Sequence, residues 1–224
     1  MGRPIELGTP RVAAETESSS DEEGWVAEGS DDDNEEGEWQ DPTGGALTAV
    51  FEAAEAGDVD ELQEALGRLD VSIDTRGEDS DTAIHLAALY GHSECVRVLL
   101  AAGARADVAD ADGALPLHDA AAGGYVDICT MLLDAVGPST IDRGDSEGDT
   151  PLHNAARGGH DAVVQLLLER GADATLQNDE FKTPGQLAER GTPARQLLEE
   201  AQRQAEAAAA AAQPEVPPPA AEVA

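Results

Sequence analysis

Thr150-Pro151-Leu152-His153-Asn154-Ala155-Ala156-Arg157-Gly158-Gly159-His160, running on to Gly171, reads as a turn, a short helix, a glycine loop, a longer helix and a glycine stop. The middle of the chain is built from near-copies of it. With His153 as reference, the matching positions are Phe51, His85, His118, His153 and Gln186, spaced 34, 33, 35 and 33 residues apart. An alanine pair follows the first four references at +2 and +3, as Ala53-Ala54, Ala87-Ala88, Ala120-Ala121 and Ala155-Ala156. A glycine stands at +6 in the same four: Gly57, Gly91, Gly124 and Gly159. A period of this length marks stacked units that cannot bury their apolar faces alone.

Thr150 to Ala156, Thr82 to Ala88 and Leu115 to Ala121 share one pattern, and Gly103-Ala104 and Gly171-Ala172-Asp173 close repeats. On these motifs residues 46–200 resemble the ankyrin repeat family. The resemblance implies an all-α solenoid of about five helix-turn-helix repeats joined by β-turn fingers. Residues 1–45 read as an acidic disordered tail, and 201–224 as an Ala/Pro-rich tail that begins helical and is broken by Pro214, Pro217, Pro218 and Pro219.

Net charge bounds the partners. The chain carries −34, of which 46–200 contributes −20 from 30 acids and 10 bases, and 1–45 contributes −12 from 14 acids and 2 bases. Such a field repels phosphate backbones and anionic lipid and attracts basic polypeptides. No direct nucleic-acid binding is therefore expected, and the sequence has no apolar run of the length, about 18 residues, that a membrane span needs. The first thirty residues hold only Arg3 and Arg11 as bases and have no apolar run, which argues against a secretory or transit peptide. Cys95 and Cys129 fall on second-helix positions that want apolar side chains, so reduced core thiols in the cytosol or nucleus are expected.

Several departures from the pattern carry expectations. Thr82 should cap its helix by taking an orphan amide on its hydroxyl, and Leu115, in the equivalent place, should lose that cap. Ser80 replaces a finger glycine, which predicts an irregular finger. The 35-residue spacing predicts a longer finger around Gly137-Pro138-Ser139-Thr140. Gly185 and Gln186 replace Leu and His in the last repeat, which reads as a closing cap.

The recurring His85, His118 and His153 invite a metal reading, and geometry excludes it. Two nitrogens on one zinc lie within about 3–4 Å, whereas stacked helices stand about 8–10 Å apart. Each ring is expected to bond backbone between repeats instead. No metal or other cofactor is expected. No catalytic set stands out either: His118 and Asp119 are neighbours on a helix and do not face each other. A phosphate-cradling glycine loop is missing from the sequence, and neither cysteine has a basic cluster near it in sequence.

Binding is what remains. The family resemblance implies that partners meet the surface made by fingers and first helices. Mapped onto this sequence, that surface carries Asp79, Asp81, Asp110, Asp112, Asp145, Glu147 and Asp149 on the fingers, with Asp179 and Glu180 on the last. The first helices add Leu89, Tyr90, Asp119, Asn154 and Arg157. Leu89 and Tyr90 form an apolar pair ringed by acids, and Phe181 replaces the usual glycine at a fingertip. In the acidic tail, Ser18, Ser19, Ser20 and Ser30 each have an acid at +3 and look like sites for an acid-directed kinase. Trp25 and Trp39 dock a partner, fold back onto the repeats, or are incidental apolar residues in the acid run.

The chain is expected to be a monomeric, non-enzymatic scaffold holding a basic protein. It looks like small acidic ankyrin proteins that shield ribosomal proteins, which makes an escort for a ribosomal or histone-type client the sharper reading. An adaptor in ubiquitin or proteasome pathways and a transcriptional or signalling regulator are the alternatives.

Overall fold

A computed structural model describes residues 40–77 and 80–212. They form ten α-helices in five pairs: α1 (Ala46–Ala56) with α2 (Val59–Arg68), α3 (Ala83–Leu89) with α4 (Ser93–Ala101), α5 (Pro116–Gly123) with α6 (Val126–Val136), α7 (Pro151–Gly158) with α8 (Asp161–Glu169), and α9 (Pro184–Leu187) with α10 (Pro193–Ala212). First helices pack on first helices and second on second, giving two parallel layers; the described residues contain no strand.

The alanine pairs explain the close layering. Ala53, Ala54, Ala87, Ala88, Ala120, Ala121, Ala155 and Ala156 are all buried, and side chains no larger than a methyl let adjacent first helices approach. Leu62, Leu99, Leu132, Leu167 and Leu198 fill the second layer. Ala88→Leu should overpack this seam and cost about 1–3 kcal/mol in a urea melt.

The histidines stitch the stack. In each case Nδ1 accepts the amide at the start of its own helix: Thr82 N to His85 at 3.3 Å, Leu115 N to His118 at 2.9 Å, Thr150 N to His153 at 3.1 Å. With Nδ1 accepting, Nε2 carries the proton. It donates to the next finger's carbonyls: Ala114 at 3.4 Å, Arg143 at 3.0 Å with Asp149 at 3.2 Å, and Lys182 at 3.0 Å. The inter-repeat reading of these rings holds. The capping expectation changes in detail. The Thr82 and Thr150 hydroxyls sit 2.8 and 2.9 Å from their His Nδ1 and donate to it, and Leu115 keeps its amide satisfied through His118. In the last repeat Gln186 Oε1 takes the Thr183 amide at 3.1 Å; lying beyond the last finger, it needs no onward donor.

Three further expectations are corrected. The fingers before α5, α7 and α9 all close with the same amide-to-carbonyl bond, Asp110 to Ala114, Asp145 to Asp149 and Asn178 to Lys182. The two extra residues of the third repeat lengthen α6 to 11 residues and are followed by a 3₁₀ turn at Pro138–Thr140, leaving the finger unchanged. The first finger is regular too: Gly77 N bonds Asp81 O, and Ser80 takes the left-handed conformation at φ 66° that glycine takes elsewhere. Order also begins before residue 46. Asp41 accepts the amides of Thr43 at 2.7 Å and Thr48 at 2.8 Å, and Thr43 Oγ1 accepts that of Leu47, so this turn caps α1.

Gly91 and Gly123 have a packing reason beyond the turn. A Cβ at either would lie 2.5 or 2.2 Å from the Tyr125 ring, which covers both. Cys95 and Cys129 are free thiols buried in the stack, and burial pushes the Cys129 thiol up to about 12.

Candidate protein-binding face

The fingers and the first helices present one continuous set of positions. Each first helix offers the residues at +1, +4 and +5 from its reference, one helical turn apart on one side. They are Leu86 and Leu89 on α3 with Tyr90 at its C-cap; Asp119, Ala122 and Gly123 on α5; Asn154, Arg157 and Gly158 on α7. Arg157 fixes which way this side looks, because its guanidinium is ion-paired with Asp149 on the preceding finger. The face therefore runs from apolar, through acidic with small residues, to cationic.

The finger acids divide by role. Asp110 and Asp145 start their fingers and turn a carboxylate oxygen inward: Asp110 Oδ1 accepts Ala114 N at 2.8 Å, and Asp145 Oδ1 accepts Glu147 N and Asp149 N at 2.9 Å. Asn178 does the same for Glu180 and Lys182. Asp149 is fully buried, held by Arg157 and by Asn178 Nδ2 at 2.7 Å. Its place among surface contact residues is thus corrected: it is a buried strut between finger and helix, and its charge is spent on Arg157. Arg157 is half exposed, with Asn154 beside it at 3.4 Å.

Asp112 and Glu147 point outward, at the third position of successive fingers. Glu180 holds that position on the last finger and pairs with Lys182 at 2.7 Å. The fingers are chained by Ser146 N to Asp112 O at 2.7 Å and Asp179 N to Glu147 O at 2.9 Å, so these acids stand in a row. None of the six ion pairs among the described residues uses the side chain of Asp112, Glu147 or Asp179. Asp79 would continue the row, but it lies outside the described residues, as do Ser18, Ser19, Ser20, Trp25, Ser30 and Trp39.

Asp81, Asp110 and Asp119 come together across the second and third repeats. Desolvation, then the charges of Asp81 and Asp110, push the Asp119 carboxyl up to about 8. Beside them Leu89 and Tyr90 are 45% and 47% exposed. The Tyr90 hydroxyl is hydrogen-bonded to Glu55, and that carboxylate raises its pKa. Sequence mapping missed Glu55, although it stands at +4 from Phe51, in register with Leu89 and Arg157.

Phe181 stands apart at the last fingertip, 79% exposed and at φ 59°. A bulky residue in the left-handed region is strained. Gly148, its counterpart one finger earlier, has Asp179 and Asn178 within 3.0 to 3.3 Å of where a Cβ would sit and takes φ +73°, so that finger favours glycine. Phe181→Gly should raise stability by about 1 kcal/mol, read from a chemical melt.

On the far side, a cleft of about 590 Å³ lies between α8 and α10, lined by Leu168, Leu197 and Ala201 among others. Its polar side chains pair along their own helices, Gln165 with Glu169 and Gln204 with Glu200. Among the described residues no group of three or more His, Cys, Asp or Glu side chains is arranged to hold a metal, and no helix is long and apolar enough to cross a membrane.

A helical-repeat stack with a charged, partly apolar face defines a binding solenoid, and comparison with known proteins gives the class. Residues 50–142 match ankyrin repeats (3 copies) and residues 132–188 match ankyrin repeats (many copies). The chain belongs to the ankyrin repeat family, whose repeats are a protein–protein interaction module. It is 33% identical over 95 residues to a Notch-regulated ankyrin repeat-containing protein of Xenopus tropicalis, covering 41% of this chain and 83% of that one. It is 36% identical over 77 residues to protein phosphatase 1 regulatory subunit 27 of Mus musculus, covering 34% and 50%. A transient receptor potential cation channel subfamily A member 1 homolog of Caenorhabditis elegans is 36% identical over 85 residues, covering 37% of this chain and only 7% of the channel. The match spans a small part of that relative, so the resemblance lies in the repeats.

Proposed function

We propose that this chain is a non-catalytic, monomeric escort that holds a strongly basic protein against its fingers and first helices. The observation that carries the reading is the row of outward acids, Asp112 and Glu147 with Asp179 beside them, which form no ion pair among the described residues and stand on backbone-linked fingertips. A net charge of −34 adds long-range attraction for cationic polypeptides and repulsion of nucleic acid. The client's Lys and Arg clusters would be neutralised until nucleic acid displaces the escort. The two buried reduced thiols suit a cytosolic or nuclear setting. The relatives named as regulatory subunit and Notch-regulated protein are consistent with a partner-directed role and name no partner for this chain.

The test is binding of a purified histone and a purified basic ribosomal protein by calorimetry across a salt series. Affinity should fall steeply as salt rises. Asp112→Lys with Glu147→Lys should weaken it without moving the melting temperature, since both side chains are exposed. Asp149 is left untouched in this design, because its reversal would break the fold. A salt-insensitive complex, or no complex with either protein at low ionic strength, refutes the escort.

A further inference from the structure

Leu89 and Tyr90 are two of the three large hydrophobic side chains exposed among the described residues, and they are adjacent. Their geometry is set rather than loose. The Tyr90 ring is held at one end by the hydrogen bond to Glu55 and stacks on His92, with centroids 6.4 Å apart and planes 22° apart. His92 is itself anchored by Nε2 donating to Glu55 O at 2.8 Å. A fixed aromatic loses little freedom when a partner covers it.

The next helix supplies a floor. At the positions of Leu89 and Tyr90, α5 has Ala122 and Gly123, both exposed. Gly123 must stay bare, because a Cβ there would lie 2.2 Å from the Tyr125 ring. The result is a step: a rigid apolar ledge at the end of α3 beside a low floor made by the Ala122 methyl and by Gly123 with the Tyr125 ring packed over it. Asp119 lies one helical turn before that floor, with Asp81 and Asp110 close to it, and Glu55 lies behind the ledge. Apolar surface bordered on both sides by carboxyl groups selects a ligand that is apolar at its centre and cationic at its flanks.

We propose that the step between the second and third repeats seats one large aliphatic or aromatic side chain of an extended basic segment, with neighbouring Lys or Arg residues directed to Glu55 and to the Asp81–Asp110–Asp119 group. This rests on the basic-partner reading and adds to it a sequence requirement that charge alone does not impose.

The probes are three short synthetic peptides: Lys/Arg/Gly with one central Leu, the same with central Ala, and the Leu peptide with every Lys and Arg changed to Ser. Fluorescence anisotropy on the full chain should show the basic Leu peptide binding about tenfold more tightly than its Ala counterpart. Leu89→Ala with Tyr90→Ala should erase that difference and leave the Ala peptide's affinity unchanged. Leu89→Ser alone, which keeps the Glu55 bond, should erase most of it and guards against a folding defect. Equal binding of the two basic peptides, or a difference that survives both variants, sinks the ledge and leaves the escort standing. Failure of both basic peptides at low salt removes the escort and the ledge together. A neutral Leu peptide that binds as well as the basic one overturns the stated occupant. So does a dimer in sedimentation that Leu89→Ser dissolves, since the occupant would then be a second copy.

Discussion

Arg157→Met should destabilise the chain by about 3 kcal/mol in urea unfolding at neutral pH. The reason is asymmetric exposure. Arg157 is 50% exposed and could hydrate if freed, but Asp149 is buried to 1%. Removing the guanidinium leaves a carboxylate with only Asn178 Nδ2 as side-chain donor, and uncompensated buried charges cost several kcal/mol. Asp149→Lys should prevent folding, because it places a cation in the same buried site beside Arg157. Arg157→Met combined with Asp149→Asn should recover much of the loss, since the neutral pair leaves no buried charge. A double-mutant cycle with no coupling between the two positions would show that the strut is ornamental.

Asp119→Asn should stabilise the protein by roughly 3 kcal/mol at pH 8, less than full conversion of the shift because its partly exposed carboxyl is screened by solvent. The sign follows from the shift. The folded carboxyl is raised from 3.8 to about 8 by desolvation and by Asp81 and Asp110. Between those values the unfolded chain is ionised and the folded chain is protonated, so stability falls as pH rises through the window. His85, His118 and His153 act in the opposite sense. Desolvation lowers each below 6.5, so their contribution is present above that pH and lost as pH falls through the folded values. The variant should therefore flatten the slope between pH 6.5 and 8 and keep the acid limb. An unchanged slope on that interval would mean that Asp119 is ionised in the folded chain.

Reading the sequence in register recovered the repeat boundaries, the inter-repeat role of the histidines and the acid row at the fingertips. It misjudged positions where one residue's job is done by another. Leu115 lacks a hydroxyl, yet His118 satisfies its amide, because the ring takes the amide directly. Ser80 is not glycine, yet it adopts the left-handed turn with a side chain small enough to bear it. Asp149 reads like its finger neighbours and is the one that is fully buried, because Arg157 two turns later in sequence supplies the counter-charge.

Sequence by itself determined the period, the pairing of helices and the sign of the field, because each depends on local pattern or on a sum over residues. Only tertiary structure decided which acids are spent and which are free. That choice depends on side chains from different repeats meeting: Asp149 with Asn178, Asp119 with Asp81, Tyr90 with Glu55 and Gly123 with Tyr125. Burial sets the energy of each meeting, and burial exists only once the repeats are stacked.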